Sequence, residues 1–160
     1  MRNLASSCVL GVMLLACSSS TSGSGGGSNR VGVDSASLCD KLINECKQSI
    51  TPASCDVVLS VVRVTPECAT KLGSAACDVL NASFAGNDDE CFPSCTNPGG
   101  QTCNGDGTIT TCSTNSRSFV LDCEATCQKV SNPPKTFSGT CGTSFGAQQS
   151  EDGKEKCWCQ

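Results

Sequence analysis

The sequence contains no histidine and no tyrosine, and its aromatic residues are five phenylalanines and one tryptophan. Without an imidazole there is no Ser-His-Asp triad, no Cys-His pair and no histidine metal ligand. Charged residues are also few: 11 basic and 15 acidic residues give a net charge of −4 over 160 residues, which argues against electrostatic binding of nucleic acid. Aromatic side chains supply much of the buried area in ordinary cores, so a core of the ordinary kind is not expected here.

Cysteine, by contrast, is abundant, at 16 of the 160 residues. This proportion is typical of a short secreted protein cross-linked by disulfides. The cysteines after residue 34 fall into a first block of six and a second block of eight: Cys39, Cys46, Cys55, Cys68, Cys77 and Cys91, then Cys95, Cys103, Cys112, Cys123, Cys127, Cys141, Cys157 and Cys159. Both counts are even, so each block can close its own bridges, three and four, with the connectivity left open. Each block has about 60 residues, a size at which a core is marginal without cross-links.

The N-terminal residues have the features of an export signal. Arg2 precedes a short apolar run that is far below the length needed to span a bilayer. The run ends in Leu14-Leu15-Ala16-Cys17. This stretch resembles the lipobox of bacterial lipoproteins, in which the cysteine thiol is acylated and becomes the mature N-terminus. The resemblance covers residues 1–17 only, and it implies a signal peptide over residues 1–16 and a lipid anchor in the membrane at Cys17.

Counting cysteines also favours lipidation of Cys17. Cys8 is lost with the signal, and a lipidated Cys17 leaves fourteen cysteines in the exported body, an even number. The alternative is plain secretion with Cys17 as a chance thiol, which leaves an odd one. Two or more acyl chains give a stable anchor. In Gram-negative lipoproteins an aspartate after the cysteine favours inner-membrane retention, so Ser18 predicts the outer membrane or the cell surface instead.

The composition after Cys17 predicts a tether followed by a helical block. Residues 17–33 hold the lipidated cysteine and a Ser/Gly-rich segment that should be flexible. Residues 34–92 have the apolar spacing of short helices, the first capped by Asp34 or Ser35. Thr51-Pro52 and Thr65-Pro66 are further helix starts, and Ser74 is expected to cap a last helix ending at Gly86. The helix after Thr51-Pro52 has one apolar stripe, formed by Cys55, Val58, Leu59 and Val62.

Signals for β structure are concentrated in residues 93–160. Asn104-Gly105-Asp106-Gly107 contains two strong hairpin dipeptides, and the β-like runs after it predict a small loop-rich β module. In the first block, the valines between positions 57 and 64 leave a strand as the alternative for the second helix. The predicted fold class is therefore a small disulfide-rich α+β protein, with a short-helix cysteine-rich block followed by a β module.

The cysteine spacing argues against a metal centre. Structural zinc sites use close pairs such as C-x2-C, and no two cysteines here are three positions apart. The same absence removes the usual motif of thiol oxidoreductases. Cys157 and Cys159 could form a strained redox pair, but we expect them to point to opposite faces of a strand and to bond to different partners. We therefore expect neither a metal nor a cofactor.

Two acidic runs remain as candidates for catalysis or for calcium binding: Asp88, Asp89 and Glu90, and then Glu151, Asp152 and Glu155. A glycosidase needs two carboxylates that flank a cleft, and a calcium loop alternates its ligands over a fixed pattern. Neither run has that calcium pattern, and both lie in polar loop sequence. We expect solvated carboxylates and no catalytic residue.

Trp158, Phe137 and Phe119 have two interpretations. They could form an exposed platform for a sugar or peptide, with Trp158 and Phe137 as ligand contacts, or they could pack against the disulfides of the β module. Packing is favoured because aromatic residues are so few. Loops on rigid scaffolds usually carry recognition, so the polar loop 146–156 is the predicted ligand-contacting segment.

Together these features predict a non-catalytic, lipid-anchored cell-envelope or surface protein that acts in adhesion, ligand capture or envelope structure. Its unidentified ligand would be an extracellular or periplasmic protein or glycan, and not a nucleic acid. The alternative is a disulfide-stapled inhibitor, for example of proteases, which presents residues 113–118 or 146–156 as a preorganised loop. A carboxylate-dependent hydrolase is the third hypothesis.

Overall fold

The computed structural model describes residues 29–85 and 90–160. The predicted signal, Cys17 and most of the tether lie outside these ranges. The described residues confirm a small disulfide-rich α+β fold. Its helices are α1 (Ser35–Asp40), which continues into a π-helical turn (Lys41–Glu45), α2 (Pro52–Val61), α3 (Pro66–Ser74), α4 (Cys77–Phe84) and α5 (Cys123–Val130). Its strands are β1 (Val31–Gly32), β2 (Val62–Val64), β3 (Gln101–Cys103), β4 (Thr108–Cys112), β5 (Ser118–Asp122), β6 (Phe137–Gly142), β7 (Ser144–Phe145), β8 (Gln148–Gln149) and β9 (Lys156–Cys159).

Three helices of the first block begin at the predicted caps. The Asp34 carboxylate accepts a hydrogen bond from the backbone N–H three residues later, at the start of α1. The hydroxyls of Thr51 and Thr65 do the same for α2 and α3, each followed by proline at the first helical position. These side chains satisfy backbone donors that a helix start leaves unpaired, which is why the starts are readable from sequence.

Ser74 does not cap the last helix of this block, so that prediction is wrong. It is the final residue of α3, and its hydroxyl donates to the carbonyl oxygen of Thr70 at 2.9 Å. A serine near a helix end can bond back to the preceding turn in this way, which directs its hydroxyl towards α3. Helix α4 starts at Cys77 instead, with Ala76 in the cap position. The predicted end at Gly86 lies outside the described residues.

The valine-rich segment forms a helix and then a strand. The helix prediction holds as far as Val61, and Val62–Val64 is β2, with Val62 and Val64 buried. Val31 pairs with Val64 in antiparallel register, which makes Val31–Gly32 an edge strand. The folded part therefore begins before Asp34, inside the stretch assigned to the tether. A two-residue strand is defined by its pairing with a neighbouring strand, so its own sequence does not predict it.

The central sheet joins the two cysteine-rich blocks. Its strand order is β1-β2-β5-β4-β3, and all neighbours are antiparallel. Strand β1 comes from the end of the stretch assigned to the tether, β2 from the helical block, and the other three strands from the second block. Strand β2 pairs with β5 through Val62 opposite Leu121 and Arg63 opposite Val120. The described parts of the two blocks therefore pack together, because one sheet contains strands of both blocks.

The main core lies between the helices of the first block and this sheet. Leu72, Leu80 and Phe92 are among its fully buried side chains. The Phe92 ring lies 5.8 Å from that of Phe84 and 4.8 Å from that of Phe119, measured between centroids. Phe119 belongs to the second block, so this aromatic cluster also joins the two blocks.

The fourteen described cysteines form seven disulfides, three within the first block and four within the second. They are Cys39–Cys55, Cys46–Cys77 and Cys68–Cys91, then Cys95–Cys112, Cys103–Cys141, Cys123–Cys157 and Cys127–Cys159. The division agrees with the even counts in each block. The sequence alone did not determine which cysteines pair, because the pairing depends on which elements the fold brings together.

Two of these bridges fasten α5 to β9 side by side. Cys123 and Cys127 lie on one face of the helix, four residues or about 6 Å apart along its axis. Cys157 and Cys159 lie on one face of the strand, two residues or about 6.6 Å apart. The two spacings match, so each helical cysteine meets its own strand partner. Cys157 and Cys159 thus have different partners, as expected, but the expectation of opposite faces is wrong, because residues two apart in a strand share a face.

Candidate functional site

An apolar pocket of about 480 Å³ opens among the helices of the first block. The π-helical turn, α2 and α4 form its walls. Its volume falls within the range of about 300–1,000 Å³ in which proteins bind small organic molecules. The apolar side chains that line it are Leu42, Ile50, Val58, Leu59, Phe84 and Ala85.

Two disulfides hold the pocket walls together. Cys39–Cys55 ties α1 to α2, and Cys46–Cys77 ties the residue after the π-helical turn to the start of α4. Leu42 and Leu59 are buried, whereas Val58 is 52% exposed. The pocket is therefore cross-linked before any ligand arrives, which lowers the ordering cost of binding.

The polar side chains of the pocket are two carboxamides. Gln48 Nε2 donates a hydrogen bond to Asn81 Oδ1 at 2.7 Å, so the pair links the chain after the π-helical turn to α4. Every other described lining residue is apolar or a disulfide cysteine. No acid, base or cation lines the described part of the pocket.

No protein-family model, curated protein or solved structure matches this chain. In residues 29–85 and 90–160, no helix combines the length and the apolar character that crossing a bilayer requires. What the pocket does is therefore inferred from its own geometry and from the sequence.

The pocket is a site that sequence analysis missed, although one signal pointed towards it. Val58 falls on the predicted apolar stripe of α2 together with Cys55 and Leu59. The fold buries Cys55 and Leu59 but leaves Val58 exposed at the pocket. When the apolar stripe of a helix is wider than the surface that neighbouring elements cover, the uncovered apolar residues can line a pocket. Gln48 and Asn81 gave no such signal, because their pairing arises only when two distant segments meet.

The second acidic run forms structural contacts away from the pocket. Glu155 accepts a hydrogen bond from the backbone N–H of Cys103 at 2.6 Å, at the outer edge of β3. The hydrogen bond from the Ser150 hydroxyl, followed by that from the Lys154 N–H, holds the pKa of Asp152 below its usual value. Glu151 is exposed in the same turn. Glu155 and Asp152 thus stabilise a strand edge and a turn, and none of the three carboxylates lines the apolar pocket.

The first acidic run is described only at its end. Asp88 and Asp89 lie outside the described residues. Glu90 forms an ion pair with Lys71 at 3.1 Å, between the chain after α4 and helix α3. This contact is a surface ion pair of the kind that contributes little to stability on its own.

Trp158 is buried, so it does not belong to an exposed platform, and its role as a ligand contact stays a prediction. Its side chain is 6% exposed, and its indole N–H donates to the carbonyl oxygen of Gly142 at 3.1 Å. The ring stacks on Phe145 with centroids 6.1 Å apart, and Lys156 Nζ lies 4.1 Å from the Trp158 ring. Trp158 thus packs within the β module, in agreement with the favoured interpretation of the aromatic residues.

Phe137 stays a predicted ligand contact at a separate place. It is half-buried on β6 and borders a shallow cleft of about 240 Å³ with Gly105, Gly107 and Gly139. Its backbone N–H donates to the Glu124 carboxylate at 3.1 Å. Neither Phe137 nor Trp158 lines the apolar pocket.

The predicted recognition loop is partly ordered by pairing. Within residues 146–156, Gln148–Gln149 forms a small hairpin with Ser144–Phe145, and residues 151–154 form an exposed turn. The segment 113–118 is the short turn between β4 and β5, closed by the hydrogen bond from Ser113 N–H to Arg117 O at 2.8 Å. Neither segment lines the apolar pocket.

Among the described residues, the group with metal-ligand spacing consists of three sulfurs. The Sγ atoms of Cys123, Cys141 and Cys157 lie within 4.8 Å of one another. They belong to two neighbouring disulfides, Cys123–Cys157 and Cys103–Cys141. The thiolate is the form of cysteine that binds metal, and a disulfide sulfur is not one.

Proposed function

We propose that this chain is a non-catalytic, lipid-anchored cell-envelope protein that captures a small ligand in its apolar pocket. The observation that carries the proposal is the pocket itself: about 480 Å³, lined by apolar side chains, with walls cross-linked by Cys39–Cys55 and Cys46–Cys77. A pre-formed apolar pocket with a few polar groups is the usual form of a small-molecule site.

The N-terminal sequence supports the proposal that the folded part of the protein is held at a membrane. The lipobox-like end at Cys17 would anchor the protein, and the Ser/Gly-rich segment after it would let the body turn freely. Seven disulfides agree with an oxidising destination outside the cytoplasm. The body would then meet ligands from the surrounding medium.

Three carboxylates of the two acidic runs have partners within the fold, which supports binding rather than catalysis. Glu155 and Asp152 accept hydrogen bonds within their own module, and Glu90 is paired with Lys71. A general acid or base has to reach a bound substrate. The lining of the apolar pocket offers no titratable side chain among the described residues.

Ligand binding is tested on residues 17–160 with Cys17→Ser, secreted through an ordinary signal so that no detergent competes for the pocket. A library of small neutral apolar compounds is screened by NMR shift changes. We expect shifts clustered on α2 and α4. Val58→Asp should weaken binding by about tenfold or more, because it places an unpaired charge at the pocket.

The matched control is Val130→Asp, at an equally exposed valine on α5. It should leave ligand binding unchanged. A library in which no compound shifts the pocket residues would overturn the ligand-capture proposal.

The anchor is tested by the intact mass of the protein extracted from membranes, before and after reduction and alkylation. We expect acyl mass on Cys17 and fourteen fewer hydrogens than the fully reduced body, two for each of the seven bridges. A protein that carries a free or unmodified Cys17 would contradict the anchored part of the proposal and leave the pocket part standing.

A further inference from the structure

We infer that the ligand of the apolar pocket is a neutral amphiphile: an aliphatic body with one head group that both donates and accepts hydrogen bonds, such as a hydroxyl or a primary amide. This inference rests on the proposed function, because it names the class of ligand for the same pocket. Three features support it: the charge of the lining, the arrangement of its polar pair and the position of that pair.

The lining favours a neutral ligand. Leu42, Ile50 and Phe84 are typical of its apolar surface, and no Lys, Arg, Asp or Glu lines the described part. An ionised group that enters such a surface loses its hydration without gaining a counter-ion. A charged head group therefore weakens binding, whichever sign it carries.

The polar pair favours a head group with two hydrogen-bonding functions. The bond from Gln48 Nε2 to Asn81 Oδ1 leaves Gln48 Oε1 as an acceptor and the Asn81 amide N–H₂ as a donor. Within the described residues, neither of these two groups has another hydrogen bond. A hydroxyl or primary amide can donate to the first and accept from the second. A group that only accepts can use one of the two.

The position of the pair sets the orientation of the ligand. Gln48 is exposed, whereas Leu42 and Leu59 lie buried on the inner side of the pocket. The aliphatic body therefore enters first, and the head group stays near water beside Gln48 and Asn81. Because water competes there, the head group adds modest selectivity to an affinity that apolar contact dominates.

Four probes with matched aliphatic chains test the inference on residues 17–160 with Cys17→Ser: octan-1-ol, octanamide, methyl octanoate and the octanoate ion. We expect octan-1-ol and octanamide to bind most tightly by calorimetry. Methyl octanoate, which only accepts, should bind about threefold to tenfold more weakly. Octanoate should bind about tenfold or more weakly, since its charge meets no cation in the described lining.

Gln48→Leu combined with Asn81→Leu separates head-group recognition from simple apolar binding. The double change keeps apolar volume at both positions and removes both the acceptor and the donor, whereas Gln48→Leu alone would free Asn81 Oδ1 as a new acceptor. The preference for octan-1-ol over methyl octanoate should disappear, while the affinity for methyl octanoate stays within about twofold. The control is Gln128→Leu on α5, another exposed glutamine that donates from its side chain, to Glu124 at 2.6 Å. It should keep the preference.

The outcomes distinguish this inference from the function beneath it. Equal affinity for all four probes, tighter binding of octanoate, or a preference that survives the double change of Gln48 and Asn81 to leucine overturns the neutral-amphiphile inference and leaves ligand capture intact. Binding of other library compounds but of none of the four probes does the same. If neither the probes nor the library shift the pocket residues, the proposed function fails as well.

Discussion

Asp56 is the residue at which a charged contact joins helices of the two cysteine-rich blocks. From α2, its carboxylate accepts a hydrogen bond from Lys129 Nζ on α5 at 3.0 Å and another from the Ser35 hydroxyl at 3.1 Å. The hydrogen bond from Lys129, followed by that from Ser35, holds the pKa of Asp56 below its ordinary value of 3.8. Both bonds favour the ionised carboxylate, so folding and ionisation at this site are linked.

We predict that Asp56→Asn lowers stability slightly at neutral pH and that the difference vanishes in acid. A carboxylate whose pKa is depressed on folding contributes its stability above the unfolded pKa of about 4, and that contribution is lost as pH falls through the folded pKa. Urea unfolding of both proteins from pH 7 to pH 2 measures this. The same change at Asp40, whose carboxylate accepts from Asn44 instead of a lysine, is the control. A gap between wild type and Asp56→Asn that widens below pH 4 would contradict the linkage.

At the scale of elements, helix α5 depends on its two bridges to β9. It has 8 residues, and isolated helices shorter than about 12 residues are marginal in water. Cys123 at its first turn and Cys127 at its second are both fully buried against the strand. Each bridge therefore fixes a different turn of the same helix.

We predict that Cys127→Ala with Cys159→Ala lowers the free energy of unfolding by about 2–4 kcal/mol. Hydrogen exchange should quicken most in Gln128 to Val130, while the first turn, still bonded through Cys123–Cys157, keeps its protection. Removal of Cys95 and Cys112 in the same way is the control, because that bridge lies outside α5. Uniform loss of protection along α5 would show that the two turns are not fixed separately.

The elements also show which features can be predicted from sequence. The starts at Thr51 and Thr65 depend on atoms within one helical turn, so local sequence specifies them. Strands Val31–Gly32 and Gln101–Cys103 are short and are defined by their partners, so the sequence does not announce them. The apolar pocket was not predicted for the same reason. It forms where three elements meet, and only Val58 carries a local sequence signal for it.

At the scale of the whole molecule, the sheet and the core connect two blocks that share no disulfide. Strand β2 of the first block pairs with β5 of the second, and Arg63 on β2 forms an ion pair with Asp122 at 3.1 Å. Phe92 packs on Phe119 across the same boundary. The covalent cross-links divide the described chain into two sets, whereas the noncovalent contacts unite it.

Because these noncovalent contacts span the boundary, we predict that the described body unfolds as one unit with its disulfides intact. Val64 on β2 is 2% exposed, and Val64→Ala should lower the free energy of unfolding by about 2 kcal/mol through lost packing. Native-state hydrogen exchange should then show the same decrease for the core amides of α3 in the first block and of β4 in the second. Val130→Ala, at a valine that is 59% exposed, should change neither. A decrease confined to α3 would mean that the blocks unfold separately, and that the sheet joining them opens before either core does.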